Sequence, residues 1–387
     1  MKLNFIDLFS GSGGMSEGFM KAGLNCLAGI DFSKDAIETF AFNHKKSIAI
    51  CDDIRKIKIK DFLEKINNKK IHIICGGPPC QGFSTIGAGD AEDSRNHLFL
   101  EFVRFVKSIK PKIIVIENVT GILAKKNINT LKSIFKCFEK LGYQLDIKVL
   151  SSHHYGVPQK RRRVIIIGNI INVENLYPKK RYDELSKKGF LPPKTVGDVF
   201  SKIRLDDYNH EIDKAEIKKN IEKDRIKLIP EGKSVRYQKD ERQYLPKKLW
   251  FDVNWDEIGE NRFREARLLR LDRKKPSPTI VTSSRMYYHP TQNRYLTSRE
   301  AASLQSFSNK FKFFGSHTSQ WTQIGNAVPP IMAKEIGRCL IKMYFSKIKV
   351  KNKNNNRNIE HVRSTAFNYG KDVYETENKQ TEMSFTF

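Results

Sequence analysis

The chain has 387 residues, with 70 Lys and Arg against 43 Asp and Glu, a formal net charge of +27. Hydrophobic residues make up 39%, enough for one large core and a second smaller one, which excludes a wholly disordered chain. So strong a positive field favours polyanions, nucleic acid first among them, and six scattered cysteines without a Cys-x-x-Cys pair argue against a zinc site or a disulfide framework.

The pattern begins with a strand-like run from Leu3 to Phe9, then Ser10-Gly11-Ser12-Gly13-Gly14, then helical spacing from Met15 to Ala22. Strand, Gly-rich turn and helix form an arrangement in which backbone N–H groups can approach a phosphate or nucleotide. Asn25 to Ile30 is a second strand. Asp31 at its end lies roughly 20 positions beyond the turn, placed to accept from ribose hydroxyls or to cap the helix over 33–42. Ser47 to Ile50 is a third strand, closed by Cys51-Asp52-Asp53-Ile54. Its carboxylate suits an exocyclic amine or a cap.

Ile71 to Cys75 reads as a buried strand stopped by Gly76-Gly77-Pro78-Pro79, with Cys80 just beyond. The strand's C-terminal end is where open α/β sheets bind ligands. Residues 87–96 are polar and Gly-rich, long enough for a mobile lid. A helix over 97–109, a strand Ile113–Ile116 ending in Glu117-Asn118-Val119, a helix over 128–141 and a strand over 144–150 follow. His153 to Arg163 then runs into Val164-Ile165-Ile166-Ile167-Gly168. Strands alternating with helices through 168 predict an α/β fold with a doubly wound, mostly parallel sheet.

From Asn169 to about Ala266 the alternation is lost, and Lys and Arg mix with aromatic residues, as suits a nucleic-acid face or another small basic domain. Arg236, Arg242 and Arg262 are its candidate DNA contacts. A capped helix over 296–305 and a last helix, opened by Gly325-Asn326-Ala327-Val328-Pro329-Pro330 and running to about Phe345, restore order. Residues 347–387 are Lys- and Asn-rich without period, predicting a disordered tail. No apolar run is long enough to span a bilayer, so the expectation is a soluble intracellular protein.

Asp31, Asp53, Cys80 and Glu117 stand at successive strand ends, which share one rim in a parallel sheet. A thiol beside a carboxyl suits sulfur addition to an electron-poor ring such as cytosine. Attack at C6 drives electrons toward C5 and N3, and a carboxyl at N3 stabilises that charge. C5 then takes a methyl group from a sulfonium donor, and a base removes the C5 proton. A free thiol has a pKa of about 8.5, and neighbouring arginines lower it. Arg161 and Arg163, two apart on an extended run, are the candidates.

These motifs resemble the cytosine-C5 DNA methyltransferases, specifically a bacterial enzyme of restriction-modification type. Asp7-Leu8-Phe9-Ser10-Gly11-Ser12-Gly13-Gly14 is similar to the family's cofactor-binding opening. Pro78-Pro79-Cys80-Gln81 is similar to its nucleophile signature, Glu117-Asn118-Val119 to its acid, Gln159-x-Arg161-x-Arg163 to its arginine pattern, and Gly325-Asn326-Ala327-Val328-Pro329 to its closing motif. The resemblance implies S-adenosylmethionine as donor, leaving S-adenosylhomocysteine, with no metal. It implies a cofactor pocket of Phe9, Ser10, Gly11, Gly13, Gly14, Asp31, Phe32, Asp53, Ile54, Pro79, Leu98 and Asn326. Cys80 is implied as nucleophile, Glu117 as the N3 partner, and Arg163 as base-orienting group with Arg161 in support. Gln81 and Ser84 fall in the loop that closes over DNA, from which the family flips its target base.

The implied organisation is a catalytic domain over 1–174 completed by 322–346, a target-recognition domain over 175–300, a hinge over 301–321 and the tail. Double-stranded DNA is the implied partner of a monomeric, cytoplasmic enzyme, with an endonuclease sharing its site without contact. Two departures stand out: Asp31 where Glu is common, and Asp52 where Gly usually precedes the Asp-Ile pair. A tRNA cytosine methyltransferase shares the signatures but usually carries Cys-Phe-Thr, absent here. A catalytically silent DNA-binding protein would not need Cys80, Glu117 and Arg163 together.

Overall fold

The computed structural model describes residues 2–79, 94–183, 188–350, 359 and 361–364. Its first part alternates as the pattern predicts. The elements are β1 (Asn4–Leu8), α1 (Gly14–Ala22), β2 (Asn25–Asp31), α2 (Lys34–Asn43), β3 (Ile48–Cys51), α3 (Ile59–Lys65), β4 (Ile73–Gly76), α4 (Ser94–Ile109), β5 (Ile113–Asn118), α5 (Ile128–Lys140), β6 (Gln144–Ser151) and β7 (Arg162–Asn169). They form a seven-stranded sheet of order β3-β2-β1-β4-β5-β7-β6. Neighbours from β3 to β5 pair in parallel, and β7 runs antiparallel to both β5 and β6.

Side chains alternate across this sheet because successive residues of a strand face opposite ways. Ile6, Leu8, Ile74, Ile114 and Ile116 face a core shared with Phe99, Phe102 and Phe105 of α4 and Phe138 of α5. Phe5, Ile73, Cys75, Ile113 and Val115 face the other side, against Phe19 of α1 and Met332, Ile336 and Leu340 of α11 (Pro330–Tyr344). α1 and α11 pack closely: a Cβ on Gly18 would lie 2.4 Å from the Ala333 Cβ, and one on Gly337 2.9 Å from that of Ala22.

Asp7 shares the parity of Phe5 and is buried beneath α1, where Ser16 Oγ donates to its Oδ2 at 2.6 Å. Burial pushes its pKa up to about 7, against the lowering effect of the Ser16 bond. A carboxyl so raised contributes stability that is present below its unfolded pKa and lost as pH rises through the folded value. About three units correspond to roughly 4 kcal/mol. Asp7→Asn is therefore expected to gain thermal stability relative to wild type as pH rises from 4 to 8. Melting temperatures of both proteins across that range check this; a constant difference contradicts it.

Beyond β7 lie α6 (Val196–Phe200), α7 (Asn220–Leu228), β8 (Val235–Tyr237), α8 (Gln238–Tyr244), β9 (Arg262–Arg267), β10 (Leu269–Arg270), β11 (Tyr287–Tyr288), α9 (Ser298–Leu304) and α10 (His317–Asn326). Two further apolar clusters form here. One gathers Ile280, Leu296, Leu304, Phe307, Phe311 and Trp321, the other Ile226, Val235, Trp255, Phe263 and Tyr295. α10 escapes periodicity because its sequence HTSQWTQIGN is mostly polar; a side-chain cap from Ser316 to the Ser319 N–H starts it.

The expected disordered tail is partly corrected. Val350 N–H donates to Asn172 O, residues 361–364 are helical, and Ile359 is fully buried in the α4–α5 core. Ile359 and Val362 supply the apolar contacts in this polar stretch. Among the described residues, no helix is long and apolar enough to cross a membrane, and no His, Cys, Asp and Glu group could hold a metal.

Candidate active site and cofactor pocket

The sheet order reverses direction between β1 and β4, and the crevice beyond their C-terminal ends is where such sheets bind ligands. β4 ends on Gly76, where a Cβ would come within 2.1 Å of the Leu8 carbonyl oxygen. Only glycine lets β4 sit so tightly on β1. Gly77 follows; its Cβ would lie 3.0 Å from Glu117 Oε2. Asn118 Nδ2 donates to the Pro78 carbonyl at 3.0 Å, tying the chain's path toward Cys80 to the end of β5. Pro78 is buried and Pro79 exposed. Cys80, Gln81 and Ser84, and most of the expected lid, lie outside the described residues.

Glu117 and the arginines meet because β7 runs antiparallel to β5. Glu117 pairs with Ile165 in register, which brings residues just before Val164 to the same rim. Arg163 Nε stands 2.8 Å from Glu117 Oε1, a largely buried ion pair. Glu117 is buried, and desolvation raises its pKa despite the lowering effect of Arg163 and Arg161. A carboxyl held this way keeps its proton to higher pH than a surface glutamate.

Arg161 is fully buried, and burial pushes its pKa down to about 9. Its guanidinium donates to the carbonyls of Ile280 at 3.0 Å and Gly325 at 2.5 Å, so the structure places it behind the rim as a tie between segments. Gln159 extends that tie: it donates to Leu304 O and Gln305 Oε1 and accepts from the Ile280 N–H. Gln305 in turn donates to Ile324 O at 2.7 Å. Sequence reasoning named Gln159 only as part of a pattern and missed Gln305. Neither carried a signal of its own, since Gln159 stands beside Lys160 and Arg161 and Gln305 between Leu304 and Ser306.

The cofactor candidates line the other half of the rim. Gly11 and Gly13 take φ of 52° and 87°, the left-handed region where glycine is favoured. Asp31 Oδ2 accepts from the Gly11 N–H at 2.8 Å and Oδ1 from the Ser33 N–H at 3.0 Å; burial raises its pKa. Asp31 thus braces the turn it faces, while Ser33 caps α2 with its own side chain. Phe9 follows β1 at φ 60°, an uncommon conformation for a non-glycine residue. Phe32 projects 80% exposed, while Leu98 is half-buried and Ile54 is in the core beneath. Asp53 caps the next turn and is forked by Arg55 Nε at 2.9 Å to both oxygens, so the structure places it against a cation.

Gly14 packs against the turn between α10 and α11, where a Cβ would lie 2.5 Å from Val328 O, and Asn326 stands exposed at the end of α10. Along this rim a Cβ on Gly11 would face open space, the Phe32 ring is exposed, and the Ser10 and Ser12 hydroxyls are buried without hydrogen-bond partners.

Arg236 and Arg262 lie on the two strands of the β8–β9 ribbon, where Tyr237 pairs with Arg262. Arg262 pairs with Glu260, and the Arg242 guanidinium lies 6.0 Å from the Trp250 ring.

A model of C-5 cytosine-specific DNA methylases matches residues 3–342. Type II methyltransferase M1.HphI of Haemophilus parahaemolyticus is 34% identical over 89% of this chain and 88% of its own. M.DdeI of Desulfomicrobium norvegicum is 33% identical over 91% and 92%. Among solved structures, a prophage-encoded E. coli protein assigned as a DNA modification methyltransferase superposes with a TM-score of 0.68 at 25% identity, over 89% of this chain and all of that one. Spodoptera frugiperda DNMT2 shares the fold, at TM-score 0.58 and 17% identity over 89% of this chain and all of that one. The chain belongs to the C-5 cytosine-specific DNA methylase family, and is a DNA cytosine-5-methyltransferase with S-adenosylmethionine as its methyl donor.

Proposed function

We propose that Cys80, Glu117 and Arg163 carry the reaction on a cytosine flipped from a short specific DNA sequence. The observation that supports this is the buried Glu117–Arg163 pair at the ends of β5 and β7, packed against Gly77 in the approach to Cys80. In this reading the Cys80 thiolate forms a bond to C6, and Glu117 holds a proton at N3 as charge develops there. Arg163 orients the base and Glu117, and Arg161 fixes the backbone behind them. S-adenosylmethionine supplies an electrophilic methyl group to C5. A base then takes the C5 proton, the electron pair of that bond re-forms the C5–C6 double bond, and the C6–S bond breaks with its pair leaving on the Cys80 sulfur. Phe9, Asp31, Phe32, Ile54, Pro79, Leu98, Asn326 and the Gly-rich turn from Ser10 to Gly14 hold the donor. Asp53 does so with Arg55 as its companion.

The unit built around β8 and β9 serves as the recognition face, with Arg236, Arg242 and Arg262 toward DNA and Gln81 and Ser84 on the closing loop. The relatives' naming as Type II methyltransferases supports a role in protecting DNA from an endonuclease of the same specificity. The test is methyl transfer from labelled donor to unmethylated genomic DNA and to total tRNA, with bisulfite mapping of the DNA. Label at C5 of cytosine in one short recurring motif is expected. Label confined to tRNA overturns the DNA reading, and label in DNA without a recurring motif overturns the restriction-modification role.

A further inference from the structure

Residues 312–315 lie along one face of α2. Asn43 donates to Lys312 O at 2.8 Å and accepts from the Lys312 N–H at 3.1 Å. Thr39 Oγ1 accepts from the Phe314 N–H at 2.9 Å. A Cβ on Gly315 would strike the Asp35 carboxylate, and its φ of 87° also calls for glycine. Asn43, Thr39 and Asp35 are spaced four apart, so they share a helix face. The segment therefore descends that face toward the cofactor rim.

A second amide grips the same segment from the recognition side. Asn209 donates to Phe313 O and accepts from the Phe313 N–H, both at 2.9 Å. Consecutive residues of an extended chain offer their backbone groups to opposite sides, so two asparagines act as short strand partners on either edge. Arg299 ties the block further, donating to the carbonyls of Tyr208 and Ser308 at 2.8 and 2.9 Å and to that of Phe311. The Lys312 ammonium sits 4.7 to 5.5 Å from the ring centroids of Phe314, Tyr208 and Phe42.

We infer that Asn43 and Asn209 are positioning residues for DNA engagement. They splint 312–315 between the cofactor-side helix α2 and the recognition side, so the stretch expected to be a hinge is rigid. The inference rests on the reading of the β8–β9 unit as the DNA-recognition face. A loosened splint leaves both sites intact but lets the recognition face wander. The apparent affinity for DNA then falls by the fraction of molecules correctly arranged.

Steady-state kinetics on a methylatable duplex test this with Asn43→Ala and Asn209→Ala. The expected result is a rise of about tenfold in the KM for DNA, with kcat and the cofactor Kd within twofold. Asn209→Asp, which keeps the acceptor for Phe313 N–H and loses the donor, is expected in between. Tyr208→Ala, a milder change that removes one ring from Lys312, covers the case in which an alanine variant fails to fold; its expected rise is two- to threefold. A KM within twofold of wild type in a folded variant overturns the splint, as does a parallel loss of cofactor affinity that tracks unfolding. Arg236→Ala with Arg262→Ala separates the premise: an unchanged KM for DNA there sinks the recognition reading instead.

Discussion

Cys80→Ala is expected to lower methyl transfer by a factor on the order of 10⁴ or more, the loss typical of removing a nucleophile. C5 of cytosine is a poor nucleophile until sulfur adds at C6, so no remaining residue substitutes for the thiol. Donor and DNA binding use other groups and are expected to stay within a few-fold of wild type. Turnover with labelled donor, calorimetry with the donor and a gel-shift titration with duplex check the three quantities separately. A duplex carrying fluorine at C5 of the target base adds a direct readout. No C5 proton can leave, so the wild type accumulates a covalent complex and the variant forms none. Substantial turnover by Cys80→Ala would falsify the mechanism.

Glu117→Gln is expected to lower kcat by about 10² to 10⁴, the range for a positioned acid. Glutamine keeps the shape against Gly77 and loses the transferable proton. The pH profile carries the sign. Burial raises the Glu117 pKa, so its acid form persists further up the scale and is lost as pH rises through that value. Wild-type kcat should therefore fall on that limb, and the Gln variant should lack the fall. A fall of the same position and depth in both proteins assigns the titration to another group. The ionic contact with Arg163 opposes the shift, so Arg163→Met is expected to move the limb to higher pH.

The catalytic rim was legible because strand ends are legible. Short, mostly apolar runs of four to seven residues stopped by Gly, Pro, Asp or Glu announced β1 to β5, and a parallel sheet gathers such ends on one edge. The register of β7 was not legible. Its run is as apolar as the others, and only the antiparallel pairing explains how Arg163 reaches Glu117. Residue roles were least legible where a side chain had a local partner. Asp53 reads as a cap or as the partner of an exocyclic amine, and nothing in the pattern shows Arg55, two positions away, closing on it. Arg161 and Arg163 look alike in the sequence, yet one is tied to two carbonyls and the other faces Glu117. The asparagine splint had no periodic signal, since Asn43 and Asn209 each act through contacts more than 100 positions away in sequence.

The pairing of α1 with α11 sets the order in which the enzyme can be made. The partner of residues 14–22 lies at 330–344, so a growing chain synthesises the first helix long before the surface that covers it. Until then the faces of Gly14, Gly18 and Phe19 that meet residues 327–337 lack that cover, although Phe19 still packs on Phe5 of β1. Contacts so distant in sequence are slow to form and leave apolar surface open to self-association. Nascent chains stalled before residue 330 should lean on chaperones, because α1 gains its outer cover only when α11 has been made. In a host with an endonuclease of the same specificity, that interval is time during which new copies protect nothing.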